Sequence, residues 1–226
     1  MAMETMVTKN YTTMIRKLLE LFGLKKKSEP KPVQKVYRQP TKGKIVAHIL
    51  YGNDINAMYG RKGDRNPGLC PVCHTVLKKL PNMEYKIRKK KGDLFETEDG
   101  FYIVTEKIKI FCEANKYENL KFTPLPKSPG YYFFEAETIF KTDPVKSWFE
   151  YGKKQECCKQ YDWVVKGTRL WKDKNMHIST NDFISQSDYW LGDPKTKSPL
   201  IVIGTETARK MKKFDFFCIY FDNVMG

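Results

Sequence analysis

The sequence predicts an α+β (mixed α/β) fold: two degenerate strand-helix-strand repeats packed around a sheet, with an N-terminal amphipathic helix in front of them. Three observations lead to this. An apolar run, a Thr-Glu pair, a helical pattern and a second apolar run occur in that order twice. Short aromatic and β-branched runs lie between the two stretches. The chain opens on an apolar stripe at helical spacing, and a proline-rich segment follows it.

The stripe is Tyr11, Met14, Ile15, Leu18, Leu19 and Phe22, one face of an amphipathic helix. Gly23 stands where such a helix can end, and Lys25, Lys26 and Lys27 follow on the side the helix dipole favours. The stretch from Ser28 to Pro32 cannot continue a helix and reads as an extended linker. Residues 1–40 are therefore expected to form a basic arm, and 41–226 an α+β domain with repeats at about 65–126 and 157–223. Such a helix can lie on a partner or a membrane surface, but most fold their stripe back onto their own domain.

Within the domain, Lys44–Tyr51 reads as a strand and Gly52-Asn53-Asp54 as a turn. The first repeated stretch runs from Asp93-Leu94-Phe95 through Tyr102-Ile103-Val104 and Thr105-Glu106. A helical pattern at Ile108, Phe111 and Cys112 follows, then Leu120-Lys121-Phe122. The second runs from Asp182-Phe183-Ile184 through Leu200–Ile203 and Thr205-Glu206, with Ala208 and Met211 at helical spacing, to Phe216–Phe221. In each, the threonine is expected to cap the helix through its hydroxyl, and the glutamate suits the positive end of the dipole. Tyr131–Ala136 and Asp162–Val165 add strand-like runs between them.

The chain carries 41 Lys and Arg against 26 Asp and Glu, a formal net charge of +15. Residues 1–91 hold 21 of the cations and 6 of the acids, so the entire excess lies there; residues 92–226 balance at 20 and 20. This asymmetry calls for an anionic partner, whether nucleic acid, a membrane surface or an acidic protein. The densest cluster is Lys86, Arg88, Lys89, Lys90 and Lys91, with Tyr85 beside it as a candidate stacking ring for nucleic acid. No run is long and apolar enough for a membrane span, and no secretory signal opens the chain, so a cytoplasmic protein is expected.

Six cysteines are then expected to be thiols or metal ligands. Cys112 and Cys218 stand in apolar runs and read as small core residues. Cys70-Pro71-Val72-Cys73 is a CxxC, and the adjacent pair Cys157-Cys158 precedes the second stretch at a similar distance. Together the four could hold a structural zinc ion, with His74 as an alternative ligand because neighbouring residues rarely point at one ion. Plain buried thiols are the competing reading. A redox dithiol fits less well, since turn residues rather than a strand precede Cys70. GxSxG, HExxH, a phosphate-binding glycine loop and a dinucleotide fingerprint are all missing, and His48, His74 and His177 show no ligand spacing, so a binding protein is expected rather than an enzyme. Trp148, Trp171 and Trp190 are read as core residues ahead of interface anchors.

Cys70-Pro71-Val72-Cys73, Asp93-Leu94-Phe95, Tyr102–Glu106 and Phe122–Leu125, with Cys157, Asn181-Asp182-Phe183 and Ile201–Glu206 as a second copy, resemble the bacterial double-CxxCG proteins over residues 65–225. His74 replaces the glycine after the first CxxC, the second motif is reduced to Cys157-Cys158, and its glycine is absent. The resemblance implies an immunity protein, which neutralises a bacterial toxin by binding it and catalyses nothing. The alternative from composition is a basic nucleic-acid-binding protein working through its first 91 residues.

Overall fold

Strand alternation decides how this chain is layered. In β1, Ile45–Tyr51, Ala47 and Ile49 are buried in one apolar cluster while Leu50 enters another. Later in the chain, Leu200 and Val202 join the first of these clusters and Ile201 and Ile203 the second. The computed structural model describes residues 42–60, 65–88 and 91–226; the apolar stripe, the linker, Lys89 and Lys90 lie outside the described residues. Gln39–Gly226 forms one compact unit.

After β1 come β2 (Asn53–Ile55), β3 (Leu94–Thr97), β4 (Tyr102–Thr105), helix α1 (Glu106–Ala114), β5 (Leu120–Pro124), β6 (Tyr131–Ala136) and β7 (Ile139–Phe140). Then follow β8 (Glu150–Tyr151), β9 (Val164–Val165), β10 (Leu170–Trp171), β11 (Ile184–Leu191), β12 (Ser198–Gly204), helix α2 (Thr205–Lys213) and β13 (Tyr220–Met225). The result is a mixed α+β fold, mostly strand. Instead of the one sheet expected there are two larger sheets and a small hairpin. Six strands lie in the order β10-β13-β1-β12-β11-β7, five in the order β2-β3-β4-β6-β5, and β8 pairs with β9.

The two larger sheets share a pairing scheme. In one, β4 pairs antiparallel with β3 and β6, and β6 with β5; in the other, β12 pairs antiparallel with β11 and β1, and β1 with β13. Ile103 faces Phe133 across the first, and Ile203 faces His48 across the second. At the edges β2 runs parallel to β3, and β7 parallel to β11. The chain therefore exchanges strands: β1 lies in the six-stranded sheet while β2, immediately after it, joins the five-stranded one, and β6 and β7 do the reverse. At Gly52, between β1 and β2, a Cβ would stand 2.2 Å from the Leu94 carbonyl oxygen, so only glycine lets the chain pass.

The shared core draws on both sheets and both helices, including Leu94, Val104, Phe111, Phe134, Ile184, Ile203 and Met211. Burying a ring such as Phe111, 2% exposed, contributes about 2–3 kcal/mol. The predicted helical faces are the buried ones: Ile108, Phe111 and Cys112 in α1, Ala208 and Met211 in α2, with Glu106 and Glu206 in the first turns.

Two local expectations fail. Neither threonine caps its helix through its side chain. The Thr105 hydroxyl donates to the Asp93 carboxylate at 2.8 Å, a charge-assisted hydrogen bond that ties the start of the helix to the start of the repeated stretch. In the second stretch the cap position belongs to Gly204, and Thr207 donates to Asp182 at 3.0 Å. Cys218 is not in the core: it takes a left-handed conformation (φ 53°) in the connection between α2 and β13, which starts at Tyr220 rather than Phe216. Cys112 is buried as expected, and burial pushes its thiol up to about 12.

Candidate metal centre

Two hydrogen-bonded turns bring the four cysteines together. In the first, the His74 N–H donates to the Cys70 carbonyl (2.9 Å) and the Cys70 N–H to the Thr75 carbonyl (2.8 Å), with Leu69 bridged to Val76. In the second, the Lys159 N–H donates to Gln155 (2.9 Å) and the Gln155 N–H to Gln160 (2.8 Å), with Lys154 bridged to Tyr161. Each partner in the second turn stands 85 residues after its counterpart (69 to 154, 74 to 159, 76 to 161). His74 and Lys159 occupy the same left-handed corner, φ 57° and 60°.

By this correspondence Cys158 matches Cys73, Gln155 takes the place of Cys70, and Cys157 stands where the first turn has Val72. The fourth sulfur thus comes from the tip of the turn. Side chains of neighbours point apart in extended chain but not around a tight turn, so the adjacent Cys157 and Cys158 both face the cluster. His74 serves as a backbone corner beside it and lines a cavity of about 400 Å³ with Cys73, Glu98 and Asp193.

The Cys70 and Cys157 sulfurs are 3.8 Å apart, those of Cys73 and Cys158 3.6 Å, and all four lie within 4.8 Å of one another. A tetrahedron of sulfurs bound at about 2.3 Å has edges of about 3.8 Å. The four cysteines could hold a metal ion. Burial works to raise the Cys73 thiol, yet hydrogen bonds from Thr75, Cys157 and Cys158 outweigh it and bring the thiol down to about 6. The buried Thr75 hydroxyl has no conventional partner and is free to orient toward that sulfur. Cys157 is pushed up, chiefly by its bond to Cys73, and Cys158 by burial and then by Cys73. The Cys73 thiolate is favoured while Cys157 and Cys158 are held toward the thiol form, and a bound cation would favour the thiolates.

Comparison with protein-family models, curated proteins and solved structures finds no match to this chain.

Two buried lysines were not singled out from the sequence, and one of them, Lys197, stands near the sulfurs. The Lys197 side chain, 2% exposed as a residue, donates to the Tyr161 carbonyl of the second turn. Burial lowers its affinity for a proton, and the Cys158, Asp162 and Cys73 charges oppose that. Lys79 reaches the Asp99 carbonyl at 2.7 Å and the Thr196 carbonyl at 3.5 Å, joining the β3–β4 and β11–β12 turns over the Phe101 ring. Burial brings it down to about 8 against the pull of Asp99 and Glu96. Their only advance signal was that each is a lysine in a short, turn-rich connection.

Lys86, Arg88 and Lys91 are exposed. Tyr85 beside them is engaged: its hydroxyl donates to the Asn56 carbonyl at 2.6 Å and its ring packs on the cluster around Phe95 and Phe133. That leaves the cations without the stacking ring expected. No helix among the described residues is long and apolar enough to cross a membrane.

Proposed function

We propose that this chain is an immunity-type binding protein that neutralises a bacterial toxin through protein contact, on a duplicated scaffold tied by structural zinc at Cys70, Cys73, Cys157 and Cys158. The observation that carries this reading is the closed set of four sulfurs. With every corner of the tetrahedron supplied by protein, a bound ion has no open position for water or substrate, which suits a tie rather than a catalyst. The matching turns and the shared pairing scheme of the two sheets support an origin by duplication. Cys70 and Cys73 come from one copy and Cys157 and Cys158 from the other, so the ion would bridge the copies.

The test has two readouts. Purified protein should carry one zinc per chain, and Cys70→Ser should lose it. Co-expression with the C-terminal domain of a secreted polypeptide encoded beside this chain should restore growth that the domain alone arrests. No rescue by the intact chain would remove the immunity role, and absence of zinc would remove the tie.

A further inference from the structure

The first turn and the segment after it hold an unusual combination of exposed apolar side chains and unbalanced positive charge. Val72 is 71% exposed, Leu77 40%, Leu80 41% and Met83 40%, four large aliphatic side chains in water within twelve residues. Over residues 65–91 the sequence has eight Lys and Arg and a single acid, Glu84, which pairs with Lys127 at 3.5 Å.

This segment is held in place along its length. The Leu77 N–H donates to the Gly68 carbonyl at 2.8 Å, and the Tyr59 hydroxyl donates to the Leu80 carbonyl at 2.8 Å. Asn82 donates through its side chain to the Met58 carbonyl at 3.2 Å. The apolar side chains are therefore displayed on fixed backbone, and a partner would meet a preformed surface with little ordering left to do.

Leu77 also lines a cleft of about 340 Å³ against the second turn, whose wall includes Lys154, Lys159, Tyr161, Tyr189 and Trp190, with Asp188 there engaged by the Thr142 hydroxyl. The surface thus has aliphatic anchors, a recess with aromatic walls, and cations around both. An apolar centre inside a charged rim is the anatomy of a protein interface. Phosphate backbones ask for cations and stacking rings, and aliphatic side chains add nothing to them.

We propose that residues 72–88, together with the cleft beside Leu77, form the docking surface for an acidic protein partner that presents apolar side chains among its carboxylates. The inference rests on the immunity reading, and names the part of the chain that would meet the toxin. Charge complementarity selects this occupant: Lys78, Lys86 and Arg88 are exposed along residues 72–88, and the one acid there, Glu84, is paired with Lys127.

The experiment measures binding of the neighbouring toxin domain to the full chain by biolayer interferometry at two salt concentrations. Three variants are compared: Leu77→Asp with Leu80→Asp, Lys86→Glu with Arg88→Glu, and Val145→Asp as an exposed control elsewhere. Each is first checked for unchanged melting and metal content. The apolar pair should weaken binding at least thirtyfold, mostly through faster dissociation. The charge pair should slow association about tenfold and flatten its salt dependence. The control should change neither. If the intact chain binds and all variants match it, this surface is wrong while the immunity reading stands. If the intact chain does not bind, the reading fails and the surface with it. If a 20-nucleotide single strand binds instead, and only the charge pair abolishes that, the partner is nucleic acid and the proposal is overturned.

Discussion

Stripping the proposed zinc from the four-cysteine cluster should destabilise the unit by an amount the chain itself sets. Cys70 and Cys157 are 87 residues apart in sequence, so an ion holding both closes a long loop in the unfolded chain. The loop-entropy relation gives about 15 cal/mol/K for a loop of that length, or about 4.6 kcal/mol at 25 °C. For a unit of this size each kcal/mol shifts the melting temperature by about 2–4 °C, so melting should fall by about 9–18 °C. The assay is thermal unfolding under reducing conditions with and without a strong chelator, alongside Cys70→Ser. Cys218→Ser, whose sulfur is outside the cluster, serves as the control. A chelated protein that melts within a degree or two of the untreated one would refute the reasoning, because the link between the two turns would then do nothing for stability.

Three further outcomes follow from single residues. Lys79 has a folded pKa of about 8 against an ordinary 10.5, so the unfolded chain binds more protons between those values and stability rises with pH across that window. The gain of wild type over Lys79→Met between pH 7.5 and 10.5 should approach about 3 kcal/mol in urea unfolding, and a constant difference would contradict it. Gly52→Ala should cost about 3 kcal/mol, since its Cβ meets backbone that cannot step aside; a neutral effect by the same measurement would mean the crossing is looser than described. Asp182 accepts from the Tyr117 and Thr207 hydroxyls at 2.7 and 3.0 Å and pairs with Lys210. Burial opposes ionisation of its carboxyl, but these partners prevail and hold it below the usual range, so its contribution is present above pH 3.8 and lost as pH falls through the lowered value. Asp182→Ala should destabilise by about 2 kcal/mol at pH 7, with the deficit shrinking toward pH 3 in the same unfolding assay.

Local periodicity made much of the secondary structure legible. Ile45–Tyr51 and Tyr131–Ala136 are strands, as their apolar, aromatic and β-branched content indicated, and Ile108, Phe111 and Cys112, at helical spacing, share the buried side of α1. The two aspartates that open the repeated stretches were visible, though their task was not. Asp93 accepts the Phe217 N–H at 2.8 Å and Asp182 accepts the Tyr117 hydroxyl, so each carboxylate secures the connection behind the other stretch's helix. Partners more than sixty residues away leave no trace in spacing. Strand exchange was hidden for the same reason: no local pattern states that His48 will face Ile203 rather than a strand of its own neighbourhood. At the cysteines the sequence showed a broken motif, because CxxC spacing describes one way of reaching an ion. The second turn keeps its hydrogen bonds while supplying its second sulfur from the tip, which only the backbone reveals.

Strand exchange also sets a timetable for synthesis. β1 is among the first strands of the unit to leave the ribosome, yet its partners are β12 and β13, and Ile45 faces Met225, 180 positions later. At ordinary elongation rates that is a wait of roughly 10–35 s. Meanwhile Ile49 and Leu50, buried in the finished protein, have no sheet to enter. Neither stretch can complete its layers alone, so the final closure must be late and non-local, with the slow kinetics that long-range pairing brings. A nascent chain of this design is most vulnerable to aggregation and proteolysis just before β12 and β13 emerge.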